Sequence, residues 1–289
     1  MLIDLHVHSY VSDGTLSPAE VVIHAKENGL SAIALTDHDT IEGLEEAILA
    51  GEHYQMEVIP GIELSAEFTT DNLHILGYCI NYKNRDFRKK LEPIQNSRQI
   101  RNEQMVLELN KLGFSITMDD LLNTDPTTKD NVNIITRAHF AKVLYQKGYV
   151  QSLKEAFELY LTPGKPGYVK RKISTPKECI DLIHSAGGIA ILAHPTLYGL
   201  SLGKKLEKLV SELVSYNLDG IEAIYSLHTP DEQSYFISLA RNYNLLISGG
   251  SDFHGSNKPG LEIATGYGNL KVPYSILQQI KNKAGMKNE

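Results

Sequence analysis

The chain has 289 residues, 42% hydrophobic and 22% charged, enough apolar material for one large core or for a core with an inserted subdomain. Its 28 Lys and Arg against 35 Asp and Glu leave a formal charge of −7, which argues against wrapping duplex DNA, although an ion cluster can still hold a phosphate locally. Cys79 and Cys179 form no CxxC pair, the N-terminus shows no signal-peptide pattern, and no run approaches the ~20 apolar residues of a membrane span, so the expectation is a cytoplasmic protein with no membrane partner.

In chain order, the first apolar run is Leu2-Ile3-Asp4-Leu5-His6-Val7-His8, read as a strand. Ser17-Pro18-Ala19-Glu20 then predicts a helix start. Ser caps, Pro fits the first turn and Glu closes a capping box, and Gly29 marks the helix end. Further strands are predicted at Ala32 to Thr36, Val58 to Leu64 and Leu73 to Tyr78. From about Asp86 to Leu161 the pattern turns helical. Leu91, Ile94, Ile100, Val106, Leu107 and Leu109 are roughly helix-spaced, and Ile134, Ala138, Ala141, Val143 and Leu144 suggest another helix. Thr162-Pro163-Gly164-Lys165-Pro166-Gly167 is turn chemistry. Then come a helix start at Thr175-Pro176-Lys177-Glu178 with its end at Gly187, a strand at Gly188 to Ala193, a strand at Gly220 to Tyr225, a helix start at Thr229-Pro230-Asp231-Glu232 and a strand at Leu245 to Gly250. Repeated strand–cap–helix units predict a β/α barrel or an open α/β sheet, formed by 1–85 with 162–289 and interrupted by a helical insertion at 86–161.

The chemistry-bearing residues collect at the strand ends. His6 and His8 stand two apart on a strand, so both imidazoles face one side, as a metal pair would, or as two histidines of a half-buried strand would. Asp252 and His254 repeat that spacing after the last run. His38 follows the second strand, Asp13 lies in the loop after the first, and Glu63, His74 and His194 lie in or just after strands. In a β/α barrel such ends converge on one face. So many buried acids and imidazoles are costly unless an ion satisfies them. Six neutral imidazoles with three carboxylates would leave +1 around two divalent ions and +3 around three, an excess suited to hydroxide and an anionic substrate. A His and carboxylate set without Cys suits Zn, Mn or Fe, and its obvious use is to activate water against a phosphate ester. That hydroxide is the expected nucleophile, since no separate protein nucleophile stands out.

These residues resemble the PHP (polymerase and histidinol phosphatase) family. His6-Val7-His8-Ser9 with Asp13-Gly14, Thr36-Asp37-His38-Asp39, Gly61-Ile62-Glu63, Leu73-His74-Ile75-Leu76-Gly77, Ala193-His194-Pro195 and Ser251-Asp252-Phe253-His254 carry the likeness. It implies a distorted seven-stranded β/α, TIM-like barrel, a trinuclear metal site and a full set of nine ligands: His6, His8, Asp13, His38, Glu63, His74, His194, Asp252 and His254. Thr136-Arg137-Ala138-His139-Phe140 and Gly164-Lys165-Pro166-Gly167-Tyr168-Val169 are similar to the stand-alone phosphoesterases with a helical insertion. That subgroup implies nucleoside 3′,5′-bisphosphates, or the 5′ ends of short RNA, as substrates.

Arg137 and Lys165 are therefore candidate phosphate contacts, and His228, just past the strand ending at Tyr225, is a candidate substrate or proton-transfer residue. His139 faces away from Arg137 and reads as a partly buried helix residue. His24, His53 and His184 read as structural. Asp37 and Asp39 flank His38 and are candidates to orient an imidazole, with helix capping an equal alternative for Asp39. The expected protein is a metal-dependent phosphoesterase with two or three divalent ions. The rivals are a histidinol-phosphate phosphatase, an amidohydrolase and a non-catalytic metal-stabilised binding module.

Overall fold

In the computed structural model, which describes residues 1–68, 72–124 and 135–286, the apolar runs form one eight-stranded sheet. The strands are β1 (Leu2–Val7), β2 (Leu30–Leu35), β3 (Glu57–Ala66), β4 (Leu73–Tyr78), β5 (Ile189–Leu192), β6 (Gly220–Tyr225), β7 (Leu246–Gly250) and β8 (Val272–Pro273). The helices are α1 (Pro18–Glu27), α2 (Leu44–Tyr54), α3 (Arg85–Lys111), α4 (Met118–Leu122), α5 (Arg137–Gln146), α6 (Leu153–Ala156), α7 (Pro176–Ser185), α8 (Lys204–Ser215), α9 (Pro230–Asn242) and α10 (Tyr274–Lys283). The chain divides into two units, Met1–Leu91 with Ser174–Glu289, and Glu92–Ile173.

The sheet of the first unit runs in the order β7-β6-β5-β4-β3-β2-β1-β8. Neighbours are parallel except at three places: β4 lies antiparallel to both β3 and β5, and the two-residue β8 lies antiparallel to β1. The seven expected strands are present, and β8 is an addition too short to leave a periodic signal. The segment after β7 returns to β1, where the Asp252 amide donates to the His6 carbonyl at 2.8 Å and the His8 amide donates to the Phe253 carbonyl at 2.9 Å. The sheet is thereby nearly closed into a barrel, an arrangement that leaves few edge groups unpaired. Ile3, Leu5, Ala34, Leu76, Ile191 and Val272 are fully buried in its core.

The helix signals hold. Ser17, Thr175 and Thr229 each cap their helix with the box closed by Glu20, Glu178 and Glu232. Such a cap contributes about 1 kcal/mol. Gly29 and Gly187 take φ of +74° and +73° just past α1 and α7, the left-handed turn that favours glycine.

Gly250 has a different duty. A β-carbon there would lie 2.5 Å from the His6 backbone nitrogen, because β7 and β1 press together at the barrel seam. Gly250→Ala is expected to lower stability by about 1–3 kcal/mol or more. Chemical denaturation would measure it, and an unchanged midpoint would mean the seam is looser than drawn.

The second unit is helical and has a core of its own, in which Met105, Leu109, Leu121, Phe140, Leu144 and Leu161 are fully buried. Ile100 and Leu107, expected on the inner stripe of α3, are instead 52% and 60% exposed, because the buried face of that helix is defined by Met105 and Leu109. Ile134 lies outside the described residues; Ala141, Val143 and Leu144 are buried on α5. The expected turn is present, with amide-to-carbonyl bonds from Lys165 to Thr162 and from Tyr168 to Lys165 at 3.0 Å each.

Candidate metal centre

All nine of the expected ligand residues lie in the first unit, at one end of its barrel. Parallel strands deliver His6 and His8 from β1, His38 after β2, Glu63 from β3, His194 after β5, and Asp252 and His254 after β7. His74 arrives from the beginning of its strand rather than the end. Because β4 runs in reverse, its start pairs with the finish of β3, Ser65 opposite His74.

Glu63 is the centre of the arrangement and is fully buried. Its Oε1 lies 3.0 Å from His194 Nε2 and 3.1 Å from His74 Nδ1, and its Oε2 lies 3.0 Å from His38 Nδ1, 3.3 Å from His8 Nε2 and 3.4 Å from His6 Nε2. Asp252 Oδ1 faces His8 Nε2 at 3.4 Å and His6 Nε2 at 3.5 Å. Asp13, partly exposed at the rim, reaches His254 Nε2 at 3.2 Å and both His8 Nδ1 and His38 Nε2 at 3.7 Å.

Three overlapping groups place their donor atoms within 4.8 Å of one another: His8, Asp13, His38 and His254; His6, His8 and Glu63; His38, Glu63 and His74. Atoms bonded to one ion at about 2.0–2.2 Å stand about 3–4.4 Å apart, within that limit.

Hydrogen bonds at the backs of the rings fix their orientation. His6 Nδ1 lies 3.0 Å from Glu222 Oε1, and a carboxylate can only accept, so Nδ1 carries a proton and Nε2 is the nitrogen left to face Glu63 and Asp252 and to bind an ion. His254 Nδ1 likewise donates to the Asp252 carbonyl at 2.8 Å. Glu222 Oε2 also accepts from the His194 amide at 2.7 Å. Among the described residues, His6 Nε2, both ring nitrogens of His8, His38 Nδ1, Glu63 Oε2 and His194 Nδ1 are buried without a hydrogen-bond partner. Divalent ions fit this set. Orphaned donor atoms face one another, they are imidazole and carboxylate, and an ion between them would satisfy them.

The protonation pattern of the metal-free cage reflects the same crowding. Burial opposes charge on His6 and His38, yet the acids around them win: Glu222 and Glu63 hold His6 well above the usual histidine range, and Glu63 with Asp13 pushes His38 up to about 9. His8 goes the other way, lowered well below that range by burial and by His254 and His38. Despite burial, Glu63 and Asp252 stay far below the ordinary carboxylate range, chiefly through His38 for Glu63 and His6 for Asp252. Protons on His6 and His38 do part of an ion's work, and ions must displace them to bind.

Backbone strain gathers here too. Asp39, His194 and Asp252 adopt φ of +56°, +21° and +62°, conformations that residues other than glycine rarely take and that recur at functional sites.

Around the cage, Asp37 accepts from Ser9 N at 2.7 Å, Ser9 Oγ at 2.6 Å and Ser12 Oγ at 2.7 Å, and burial pushes it up to about 6 against those bonds. It holds the Asp13 loop rather than an imidazole. Asp39 accepts from Ser65 N at 2.8 Å and Ser65 Oγ at 3.0 Å, tying the His38 segment to β3 instead of capping a helix. His228 is 4% exposed, with Nδ1 bonded to the Ala223 carbonyl at 2.9 Å and its ring packed on Phe236 and Tyr225. Arg137 and Lys165 lie in the second unit, Arg137 with its guanidinium 5.6 Å from the centre of the Tyr168 ring. His139 closes the box that caps α5, its Nδ1 accepting from Thr136 N at 3.0 Å. His184 pairs with Asp219 at 2.7 Å, His24 packs on Phe253, and His53 is exposed.

Sequence reasoning missed four groups. Glu222 and Asp4 are fully buried carboxylates in strands otherwise apolar, and that mismatch was the available signal. Asp4 accepts from the amides of Ser251 at 2.8 Å, Ala264 at 3.1 Å and His6 at 3.3 Å, stitching the seam beside His6. Tyr225 donates to Asp252 Oδ2 at 3.0 Å, and Lys258 pairs with the same oxygen.

The PHP domain profile matches residues 4–162. A 3′,5′-nucleoside bisphosphate phosphatase of Chromobacterium violaceum is 34% identical over 90% of this chain and 90% of its own. A 5′–3′ exoribonuclease of Haemophilus influenzae is 35% identical over 87% of this chain and 89% of its own. Among solved structures, an amidohydrolase from Chromobacterium violaceum, with bound sulfate and no metal, superposes with a TM-score of 0.77 at 32% identity, covering 98% of this chain and 97% of that one. With the profile spanning more than half of the chain and these relatives covering most of its length, the chain belongs to the PHP domain family.

Proposed function

We propose that the protein is a hydrolase of phosphate esters that depends on two or three divalent ions, Mn, Fe or Zn, held by His6, His8, Asp13, His38, Glu63, His74, His194, Asp252 and His254. The observation that carries this reading is the cluster of buried imidazole nitrogens and a carboxylate oxygen without hydrogen-bond partners among the described residues, His6 Nε2 at 3.4 Å from Glu63 Oε2 among them, which a cation between them would satisfy. Bound there, such ions supply activated water and offset the charge of a phosphoryl group.

The chain's own residues do the rest. Glu222 fixes the tautomer of His6, and Asp37 holds the loop that carries Asp13. Tyr225 donates to Asp252 Oδ2 and so leaves Oδ1 to face His6 and His8. Arg137 and Lys165 are assigned to substrate phosphate, where a guanidinium fork and a point charge suit its oxygens. His228, neutral because burial lowers it, is assigned to substrate binding or proton transfer through its Nε2, which is buried without a partner among the described residues. The relatives that act on nucleoside bisphosphates and RNA support small nucleotides or short oligoribonucleotides as substrates. Among the described residues no helix is long and apolar enough to cross a membrane. Two free cysteines support the cytoplasm as the compartment.

The test is phosphate release from adenosine 3′,5′-bisphosphate. Turnover is expected with Mn²⁺, loss on chelation and recovery on adding ions back. A fully metal-loaded protein that leaves the bisphosphate intact would move histidinol phosphate, and then amide substrates, to the front.

A further inference from the structure

We propose that the short turn Gly255–Asn257 is a clasp on the Asp13 loop, and that Asn257 and Thr15 are positioning residues that set how firmly the cage keeps the ion Asp13 helps to hold. The inference rests on reading the cage as a metal centre. Of the three carboxylates in the cage, the side chains of Glu63 and Asp252 are 0% and 4% exposed, whereas that of Asp13 is 44% exposed. Asp13 enters a single group of candidate ligands, with His8, His38 and His254. That group therefore has one ligand open to water, and its grip depends on how well a loop keeps that ligand in place.

The loop is tied from two sides. From its own start, the amides of Ser12 and Gly14 donate to the Ser9 carbonyl at 3.2 and 2.9 Å. From across the barrel mouth comes the turn that follows His254. Asn257 Nδ2 donates to the Asp13 carbonyl at 2.8 Å, and the Ser256 amide donates to Thr15 Oγ1 at 3.0 Å. Gly255, at φ +63°, lets the turn lie flush on the loop, since a β-carbon there would overlap the Thr15 hydroxyl. The turn is itself anchored. The Lys258 amide donates to the Gly255 carbonyl at 3.2 Å, and Lys258 Nζ pairs with the buried Asp252. The two segments joined by these bonds are the ones whose side chains meet in the ligand group, with His254 Nε2 at 3.2 Å from Asp13 Oδ1. A carboxylate already held in place loses less freedom when an ion arrives than one on a loose loop, and bonds behind a ligand typically change metal affinity about 10–100-fold.

The test is the Mn²⁺ content of the full chain, read by elemental analysis after dialysis against rising chelator concentrations. Asn257→Ala and Thr15→Val each remove one bond of the clasp and leave every ligand side chain in place. Each variant is expected to give up one ion equivalent at a chelator concentration about tenfold or more below that needed for the wild type. The remaining ions should leave at the wild-type concentration. Thr15→Ser keeps the hydroxyl and is expected to retain ions as the wild type does, which a merely space-filling role for Thr15 would not require. Ion loss unchanged in both variants would overturn the clasp and show that Asp13 is held without the turn. Earlier loss of all ions together would overturn it too, making the turn a general support of the barrel end. A wild type that takes up no Mn²⁺ overturns the metal-centre reading, and the clasp with it, so the unmutated protein tells the two failures apart. Should Thr15→Val not fold, Asn257→Ala, which alters an exposed side chain, makes the comparison alone.

Discussion

Glu63→Gln is expected to reduce turnover about a thousandfold or more, the several kcal/mol that metal-ion chemistry supplies. Five imidazole nitrogens lie within 3.0–3.4 Å of this one carboxylate, so no other side chain of the cage is shared so widely. The amide keeps the volume and one acceptor oxygen but removes a full negative charge from a site that has only three. Its NH₂ would also point hydrogens at nitrogens whose lone pairs are needed. Metal content by elemental analysis and phosphate release should fall together while circular dichroism stays native. A variant that keeps its ions and its rate would show that Glu63 is a spectator of the cage.

The second large effect is expected one layer out. Glu222→Gln should weaken metal binding about 10–100-fold, the usual result of losing a carboxylate behind a ligand histidine. Both groups that Glu222 serves, His6 Nδ1 and the His194 amide, are donors. A glutamine can offer its oxygen to only one of them and must turn its NH₂ against the other. The His6 ring then has a reason to flip or to move its proton to Nε2, the atom that faces Glu63. Titration with Mn²⁺ would read the affinity loss, and saturating ion should restore most of the rate. If excess metal restores nothing, Glu222 is closer to the chemistry than its bonds imply.

How much of this was legible beforehand differs by kind of residue. Barrel strands betray themselves as apolar runs, and residues such as His6, Glu63 and Asp252 are visible because a chargeable group at the end of such a run needs a reason. His74 obeys no strand-end rule, and only the antiparallel register of β4 explains its arrival. Glu222 hid inside a run whose apolar letters dominated the reading. Asp37 and Asp39 were placed beside the site, but their partners, serines from other segments, depend on tertiary folding that sequence spacing does not encode. Arg101 gave no signal in the sequence that set it apart from its neighbours. Its burial follows from helix packing, in which Met105 and Leu109 turn inward while the more apolar-looking Ile100 and Leu107 stay out.

The barrel seam also constrains how the protein comes into being. Its two sides are β1 and the segment carrying Asp252 and His254, joined by the bonds from Asp252 N to His6 O and from His8 N to Phe253 O. His6 and His8 stand far along the chain from Asp252 and His254, the acid and imidazole they meet across the seam. Such distant pairings are slow to form. Until they do, the early histidines have neither their seam nor their full complement of ligands. Any ions the cage takes therefore wait on closure of the seam, because its two sides bring together residues from opposite parts of the chain.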